Sequence, residues 1–164
     1  MALIAFTIRP FNGSDRDSML TLARSLDEWL NEEGLTQMER DLAHHGGFVA
    51  VDRDRVIGFV TWRRIDPQSA DLSWLAVVRE HHRNGVGTAL LHALTERLRS
   101  DGIQRLEVST VADSLDYEPY TRTRAFYRAR GFQDFRVDRD FFGDGDDRYD
   151  RLTMQLDLSA RDTE

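Results

Sequence analysis

The sequence predicts an α/β (α+β) fold in which one mixed sheet carries helices on both faces. Short apolar runs with strand character alternate along the chain with segments whose apolar residues recur at helical spacing. Their order is β-α-α-β-β-β-α-β-α-β-β, which places helices over both faces of a sheet. The 164 residues suit one compact domain, and neither a linker nor an internal repeat divides them. We therefore predict a single domain over residues 1–164.

The first part of the chain predicts a strand and two helices. Residues 3–10 alternate loosely between apolar and polar side chains, as an opening strand does. Apolar residues recur at helical spacing from Met19 to Leu30 and predict the first helix. A short second helix is expected to end near Gly46 and Gly47. Two capping pairs mark where these helices should begin, Ser14 with Asp17 and Thr36 with Glu39.

The remaining elements follow from apolar runs, turn residues and one long amphipathic stripe. A helical stripe runs from Val86 to Leu98 and should end at Gly102, and a later helix should end at Gly131. A polar connection over residues 112–118 precedes that later helix. The predicted strands are 48–51, 56–62, 72–78, 106–111, 132–141 and 152–158, and the later helix is 121–130.

Composition excludes several classes of function. The formal net charge of −7 disfavours nucleic-acid binding, which requires basic side chains to neutralise phosphates. The sequence contains Arg but no Lys, a bias that we attribute to genome composition. No apolar stretch is long enough to span a membrane, and the N-terminal apolar run is too short for a signal peptide. Cysteine is absent, which favours a reducing cytoplasm, and no His or carboxylate cluster has metal-ligand spacing, so we expect no metal.

A glycine-containing loop joins a buried strand to a helix within residues 77–91. Gly85 and Gly87 directly precede the amphipathic helix, and glycine lets backbone N–H groups approach an anion closely. The helix N-terminus adds unpaired donors and a favourable dipole, and Arg83 adds a positive charge. These features describe a pyrophosphate site, although a tight turn without a ligand has the same pattern. The P-loop and dinucleotide motifs both fit worse, since the GK[ST] ending and the third glycine are missing.

Two motifs resemble those of the GNAT superfamily of acetyl-coenzyme A-dependent N-acetyltransferases. The family loop reads Q/R-x-x-G-x-G/A, and residues 82–87 match both glycines with His82 at the Q/R position. Residues 126–132 resemble the family's L/F-Y-x-x-x-G-F ending, although Tyr120 stands where an Asn is usual. The resemblance implies a mostly antiparallel sheet and acetyl-coenzyme A as the acyl donor. The residues that it implies for cofactor binding are Leu75, Ala76, Val77, His82, Arg83, Asn84, Gly85, Val86, Gly87 and Thr88.

The same resemblance assigns catalytic roles for acetyl transfer to a primary amine by direct attack in a ternary complex. Tyr127 matches the family's catalytic Tyr, and a protonated phenol can donate to the departing sulfur. Glu107, or a water that it orders, is the expected base that takes the amine proton. Packing of Tyr127 beside its aromatic neighbours and pairing of Glu107 with an Arg are the structural alternatives. A GNAT-like module that binds or senses acyl-coenzyme A without turnover is the alternative function.

The acceptor is expected to be a small-molecule or protein amine, and the sequence does not choose between them. The connection before the Tyr127 helix, together with the first two helices, is expected to shape an acidic or aromatic acceptor pocket. A homodimer formed through an exposed strand or helix is a further expectation. The candidate acceptor residues are Trp29, Ser109, Asp113, Asp116, Glu118 and Tyr120.

Overall fold

The computed structural model describes residues 5–159. Its strands are β1 (Thr7–Pro10), β2 (Gly46–Asp52), β3 (Arg55–Asp66), β4 (Ser69–Val77), β5 (Arg105–Val111), β6 (Gln133–Asp144) and β7 (Asp147–Asp157). Its α-helices are α1 (Arg16–Arg24), α2 (Glu32–Leu42), α3 (Val86–Ser100) and α4 (Glu118–Ala129), and short 3-10 turns span Gly13–Asp15 and Arg79–His81. The predicted order of elements is confirmed. Residues 3 and 4 of the predicted opening strand lie outside the described residues.

The strands form one mixed sheet in the order β1-β2-β3-β4-β5-β7-β6. All neighbours are antiparallel except β4 and β5, which are parallel. Helix α3 packs on the face of Gly58, where an added Cβ would lie 3.1 Å from atoms of Val86 and Leu90. The residues after α2 reach the opposite face, where the His45 ring bonds the Ser73 hydroxyl at 2.9 Å. The predicted mixed sheet with helices on both faces is therefore confirmed, whereas a single domain over the whole chain stays a prediction.

The helix starts differ from those that the capping pairs predicted. Asn12 and Asp15 form a reciprocal capping box at the 3-10 turn that leads into α1. The Asn31 side chain accepts the Gly34 N–H at 2.9 Å and caps α2. The Thr36 hydroxyl lies inside α2 and donates to the backbone carbonyl four residues before it. Both predicted pairs, Ser14–Asp17 and Thr36–Glu39, are wrong because an Asn precedes each of them and caps the chain first.

The first helix is also shorter than its apolar spacing predicted. Helix α1 ends at Arg24, and turns replace the helix from Leu26 to Leu30. Single-turn hydrogen bonds run from the Leu26 N–H to Ala23 and from the Trp29 N–H to Leu26. The apolar side chains of this segment still pack against the core, which is why their spacing resembled a continued helix. The turns place these side chains beside the edge of β4.

The sheet opens between its two parallel strands. Strand β4 pairs with β5 from Ser69 to Leu72, and the last pair is Leu72 with Val108. Beyond that pair, β4 stays with β3 as far as Val77 and β5 stays with β7 as far as Val111. The two halves of the sheet therefore diverge, and the β4 edge that faces the gap has no strand partner among the described residues.

None of the helices within residues 5–159 combines the length and apolarity that crossing a membrane requires.

Candidate active site

A cleft of about 590 Å³ occupies the gap between β4 and α4. The glycine loop, the edge of β4, the turns after α1 and helix α4 form its walls. Eleven of the residues proposed for the site line it: Trp29, Leu75, Ala76, Val77, His82, Arg83, Gly85, Val86, Gly87, Thr88 and Tyr127. The cleft thus joins the predicted cofactor loop to the predicted catalytic Tyr. Asn84 lies in the loop but is not among the lining residues.

The glycine loop leaves the first turn of α3 open to the cleft. Gly85 caps the helix with φ +82°, and an added Cβ there would meet no atom within 4 Å. Arg83 also has a left-handed backbone, with φ +68°. No side chain of the described residues caps the helix, so its first N–H groups are free to bind an anion. Gly87 serves a different purpose, because a Cβ there would lie 3.3 Å from the Phe126 ring and would push α4 away.

His82 turns toward the protein instead of the open side of the loop. Its Nε2 lies 2.7 Å from the carbonyl oxygen of Val77 and bonds it. Its ring also meets the Trp29 ring edge-on, with centroids 5.7 Å apart. Where the family motif has Gln or Arg, this chain therefore uses the side chain to fix the end of β4 and the start of the loop. The backbone N–H groups remain as the anion-binding part.

Arg130 lies in this cleft and was missed by the sequence reasoning. Its Nε and Nη2 donate to the Thr88 hydroxyl at 3.0 and 2.7 Å, and its Nη1 donates to the Phe126 carbonyl at 2.9 Å. The guanidinium stacks 3.7 Å from the centre of the Phe126 ring. No ion pair joins it to a carboxylate among the described residues, and burial lowers its pKa. The sequence could have pointed to Arg130 only by its position in the 126–132 motif, two residues before the motif ends.

Tyr127 is held by aromatic rings at the base of the cleft. Phe126 and Phe132 each meet its ring edge-on, with centroids 5.3 Å apart. The side chain is 5 % exposed and lines the cleft. Burial, with a smaller contribution from the charge of Asp71, raises the pKa of the phenol well above its ordinary value. The hydroxyl therefore stays protonated at neutral pH, as a proton donor must.

Two carboxylates lie beside each other on the diverging strands. Glu107 faces Asp71 directly across the β4–β5 pairing. Glu107 accepts a hydrogen bond from Gln155 Nε2 at 2.8 Å, and Asp71 pairs with Arg63 at 3.3 Å. Burial raises the pKa of Asp71, and the charge of Glu107 raises it further. Neither carboxylate lines the cleft. Asp71 is the second residue that sequence reasoning missed, because only the register of the parallel pair reveals it.

The proposed acceptor residues separate into two groups. Trp29 Nε1 donates to the Pro119 carbonyl at 3.1 Å, and the Tyr120 hydroxyl donates to the Trp29 carbonyl at 3.0 Å. These two bonds tie the turns after α1 to the start of α4. Tyr120 itself does not line the cleft.

The proposed acidic residues are engaged with arginines or exposed. Asp113 pairs with Arg124 at 3.0 Å and with Arg128 at 3.1 Å, and the Arg128 guanidinium lowers the pKa of Asp113. Glu118 pairs with Arg122 at 2.9 Å. None of the acidic candidates lines the cleft. Of the remaining two, Ser109 bonds the Thr153 hydroxyl at 3.3 Å and Asp116 is exposed.

A metal site is not found in the described part of the chain, where no three His, Cys, Asp or Glu residues cluster with metal-binding geometry. The described residues in and near the cleft supply hydrogen-bond donors, a phenol, guanidinium groups and carboxylates.

Comparison with known proteins gives the family. The model of the acetyltransferase (GNAT) family matches residues 16–132. The amino-acid acetyltransferase of Pseudomonas syringae pv. syringae is 38 % identical over 74 residues, which are 45 % of this chain and 15 % of that relative. The chain thus spans a small part of the length of that relative. It belongs to the GNAT family of acetyltransferases, and the resemblance seen in the sequence is confirmed.

Two solved structures share the fold. The ribosomal-protein-S18-alanine N-acetyltransferase of Escherichia coli superposes with a TM-score of 0.77 at 20 % identity and covers 96 % of both chains. A GNAT family acetyltransferase from Elizabethkingia anophelis, solved with acetyl-CoA bound, superposes with a TM-score of 0.70 at 16 % identity. That match covers 93 % of this chain and 97 % of the other.

Proposed function

We propose that this protein transfers an acetyl group from acetyl-coenzyme A to a primary amine. The observation that carries the proposal is the cleft itself, which joins an open helix N-terminus to a buried, protonated Tyr127. When bound, acetyl-coenzyme A supplies a thioester whose carbonyl carbon the amine attacks and whose sulfur leaves. The family and the relative with bound acetyl-CoA support this donor.

The residues present fit the donor. The N–H groups of the first turn of α3 would hold the pyrophosphate, and Arg83 and Arg130 would neutralise phosphate charge. The unpaired edge of β4 near Val77 offers backbone groups to the pantetheine amides and to the thioester oxygen. His81 Nδ1, in a side chain that lines the cleft, is buried without a hydrogen-bond partner in the described structure. A bound polar ligand would satisfy that atom.

Two proton transfers accompany the attack. The amine nitrogen must lose a proton, because a typical alkylamine is protonated near neutral pH. Glu107 is the proposed acceptor of that proton, and it would act through water because no carboxylate lines the cleft. Tyr127 donates its proton to the departing sulfur and regains one from solvent. Asp71, next to Glu107 and with a raised pKa, is the competing base.

Single amide substitutions separate the two bases. We expect Glu107→Gln to lower kcat by about 100-fold while the affinity for acetyl-coenzyme A is retained, as is typical for loss of a general base. Asp71→Asn is the matched control, since it removes the neighbouring carboxylate at the same register. Full activity of Glu107→Gln together with a large loss in Asp71→Asn would transfer the role of base to Asp71.

Within residues 5–159 no carboxylate lines the cleft, which favours a second candidate function, an acyl-coenzyme A-binding module without turnover. Thermal unfolding with acetyl-coenzyme A or coenzyme A tests binding, since a ligand of the native state raises the Tm. Release of free thiol with a panel of amines then tests catalysis. Absence of any Tm shift would refute both candidates, and a shift without thiol release would select the binding module.

The acceptor, location and assembly also remain proposals. We propose a small-molecule or protein amine as the acceptor, since the names of the two relatives refer to an amino acid and to an alanine of a ribosomal protein. Nucleic acid and membrane are not proposed as partners, and the cytoplasm is the proposed location. A homodimer is proposed through edge strand β6, where Phe135, Val137 and Phe141 are about half exposed. Light scattering of the wild type would test it.

A further inference from the structure

We infer that the acceptor is an amine carried by an apolar group without a second positive charge, and that diamines and polyamines are poor acceptors. The inference rests on the proposed function and specifies the substrate class of the same cleft. It comes from what lines the end of the cleft that phosphates do not use, and from the charges around it.

The apolar end of the cleft is the end at Trp74, on the part of β4 that lies away from the glycine loop. Trp74 precedes Val77 by three residues, which is roughly 10 Å along a strand. Leu26 and Leu30 come from the turns after α1, and Met38 comes from α2. The donor's phosphates belong at the glycine loop and its thioester belongs near Tyr127. The apolar end is therefore left for the acceptor.

The side chains at this end offer few polar atoms to a ligand. The Trp74 indole N–H is already bonded to Asp41 Oδ2 at 2.8 Å, so the indole presents apolar surface only. The other oxygen of Asp41 accepts a hydrogen bond from Gln37 at 2.9 Å. Leu26, Leu30 and Met38 add aliphatic and thioether surface. Such a surface gains free energy when it covers an alkyl or aryl group and gains none from an ammonium group.

The cleft offers no partner to a second cation. Among the described residues no Asp or Glu lines it, whereas Arg83, Arg122 and Arg130 do. The Arg122 guanidinium lies 5.5 Å from the centre of the Trp29 ring, so it occupies the aromatic surface that a cationic acceptor would use. The acceptor amine loses its own charge on reaction, but a second ammonium group would stay charged in a cleft whose lining offers it no carboxylate. Moving a charge from water into a partly buried site without a partner of opposite sign disfavours binding.

Two of the acidic residues that the sequence predicted for the acceptor pocket are paired with arginines instead. Asp113 is held by two arginines and Glu118 by Arg122, as described above. The net acidity of the chain therefore does not reach the cleft as unpaired negative charge.

Matched pairs of amines test the inference by free-thiol release. Butylamine and 1,4-diaminobutane differ by one ammonium group, and 2-phenylethylamine and ethylamine differ by one ring. We expect kcat/KM for butylamine to exceed that for 1,4-diaminobutane by at least about tenfold. We expect 2-phenylethylamine to exceed ethylamine by about 10- to 100-fold, the gain from burying an aromatic ring.

A pair of variants at Leu30 tests the charge argument within the protein. Leu30 lies in the turns after α1 and is only partly buried, so a longer polar side chain can be accommodated there. Leu30→Glu and Leu30→Gln have nearly the same shape and differ in charge. Relative to Leu30→Gln, Leu30→Glu is expected to raise the preference for 1,4-diaminobutane over butylamine by at least about fivefold. The wild-type panel decides the question alone if either variant fails to fold.

The outcomes distinguish the inference from the function on which it rests. Turnover that favours 1,4-diaminobutane over butylamine in the wild type would overturn the inference and leave the acetyltransferase proposal standing. Absence of a Tm shift with acetyl-coenzyme A and coenzyme A would overturn both. A Tm shift without thiol release from any of the four amines would overturn the inference in favour of the binding module.

Discussion

Replacing Arg130 by Gln is expected to weaken coenzyme A binding by about 10- to 100-fold. The guanidinium is fixed by three hydrogen bonds to Thr88 and Phe126 and by stacking on the Phe126 ring, so little entropy is lost when it meets a phosphate. Hydrogen bonds to charged groups contribute about 1.5–3 kcal/mol each, and about 1.4 kcal/mol corresponds to a tenfold change in Kd. One such contact to phosphate accounts for the expected loss.

Isothermal titration of wild type and variant with coenzyme A measures this effect. Arg97→Gln is the control, because Arg97 is exposed on α3 and pairs with Asp101 at 2.9 Å. The Tm of Arg130→Gln should be recorded as well, since the variant also loses bonds inside the protein. A Kd within about twofold of the wild type would refute the phosphate role, whatever the change in Tm. Dephospho-coenzyme A then locates the contact: a loss that disappears with this ligand assigns Arg130 to the 3′-phosphate.

Three further substitutions test the site. Tyr127→Phe is expected to lower kcat by about 100-fold with coenzyme A affinity retained, whereas Tyr117→Phe, in an exposed side chain, should leave kcat unchanged. Because burial raises the pKa of Tyr127, the wild-type rate should show no loss from phenol ionisation up to about pH 9; a limb assigned to this Tyr below that pH would contradict the acid role. Asp71→Asn is expected to raise the Tm at neutral pH, since a raised carboxyl pKa means that folding disfavours the charged form. This gain should fade as the pH falls from the raised pKa of Asp71 toward the ordinary pKa of Asp and should be absent below it, and a lower Tm at neutral pH would show that the pair with Arg63 outweighs burial. Gly85→Ala should destabilise the fold by about 1–2 kcal/mol because of its left-handed backbone, and Gly85→Asn by less; equal denaturation midpoints for glycine and alanine would contradict this reason.

The predictable part of the fold came from patterns that span several residues. The stripe from Val86 to Leu98 and the strand from Leu106 to Val111 depend on burial of one face, and both elements occur where their periodicity placed them. Capping depends on one side chain. Asn12 and Asn31 are the capping residues, although Ser14 and Thr36 after them also fit the capping pattern. The apolar spacing through Leu30 was misleading because turns can bury the same side chains as a helix.

The site was predictable where sequence order and spatial order coincide. Gly85 acts through the local backbone, so the sequence alone predicts its role, whereas the role of Gly87 depends on the packing of Phe126 from α4. The pairing of Asp71 with Glu107 depends on the register of two parallel strands that a helix separates in sequence. The engagement of Asp113 with two arginines depends on how α4 packs. Short-range patterns contain neither kind of information, so the acidic acceptor loop remained an expectation from composition.

The cations that line the cleft are all guanidinium groups, and this has a chemical consequence. A lysine near an activated acetyl group could lose its proton and accept the acetyl group itself. Arg83, Arg122 and Arg130 keep their positive charge at any physiological pH and are poor nucleophiles. These guanidinium groups can therefore hold phosphates close to a thioester without competing for its acyl group. In an assay with a protein acceptor, any acetyl-lysine detected would belong to the acceptor, because this chain contains no lysine.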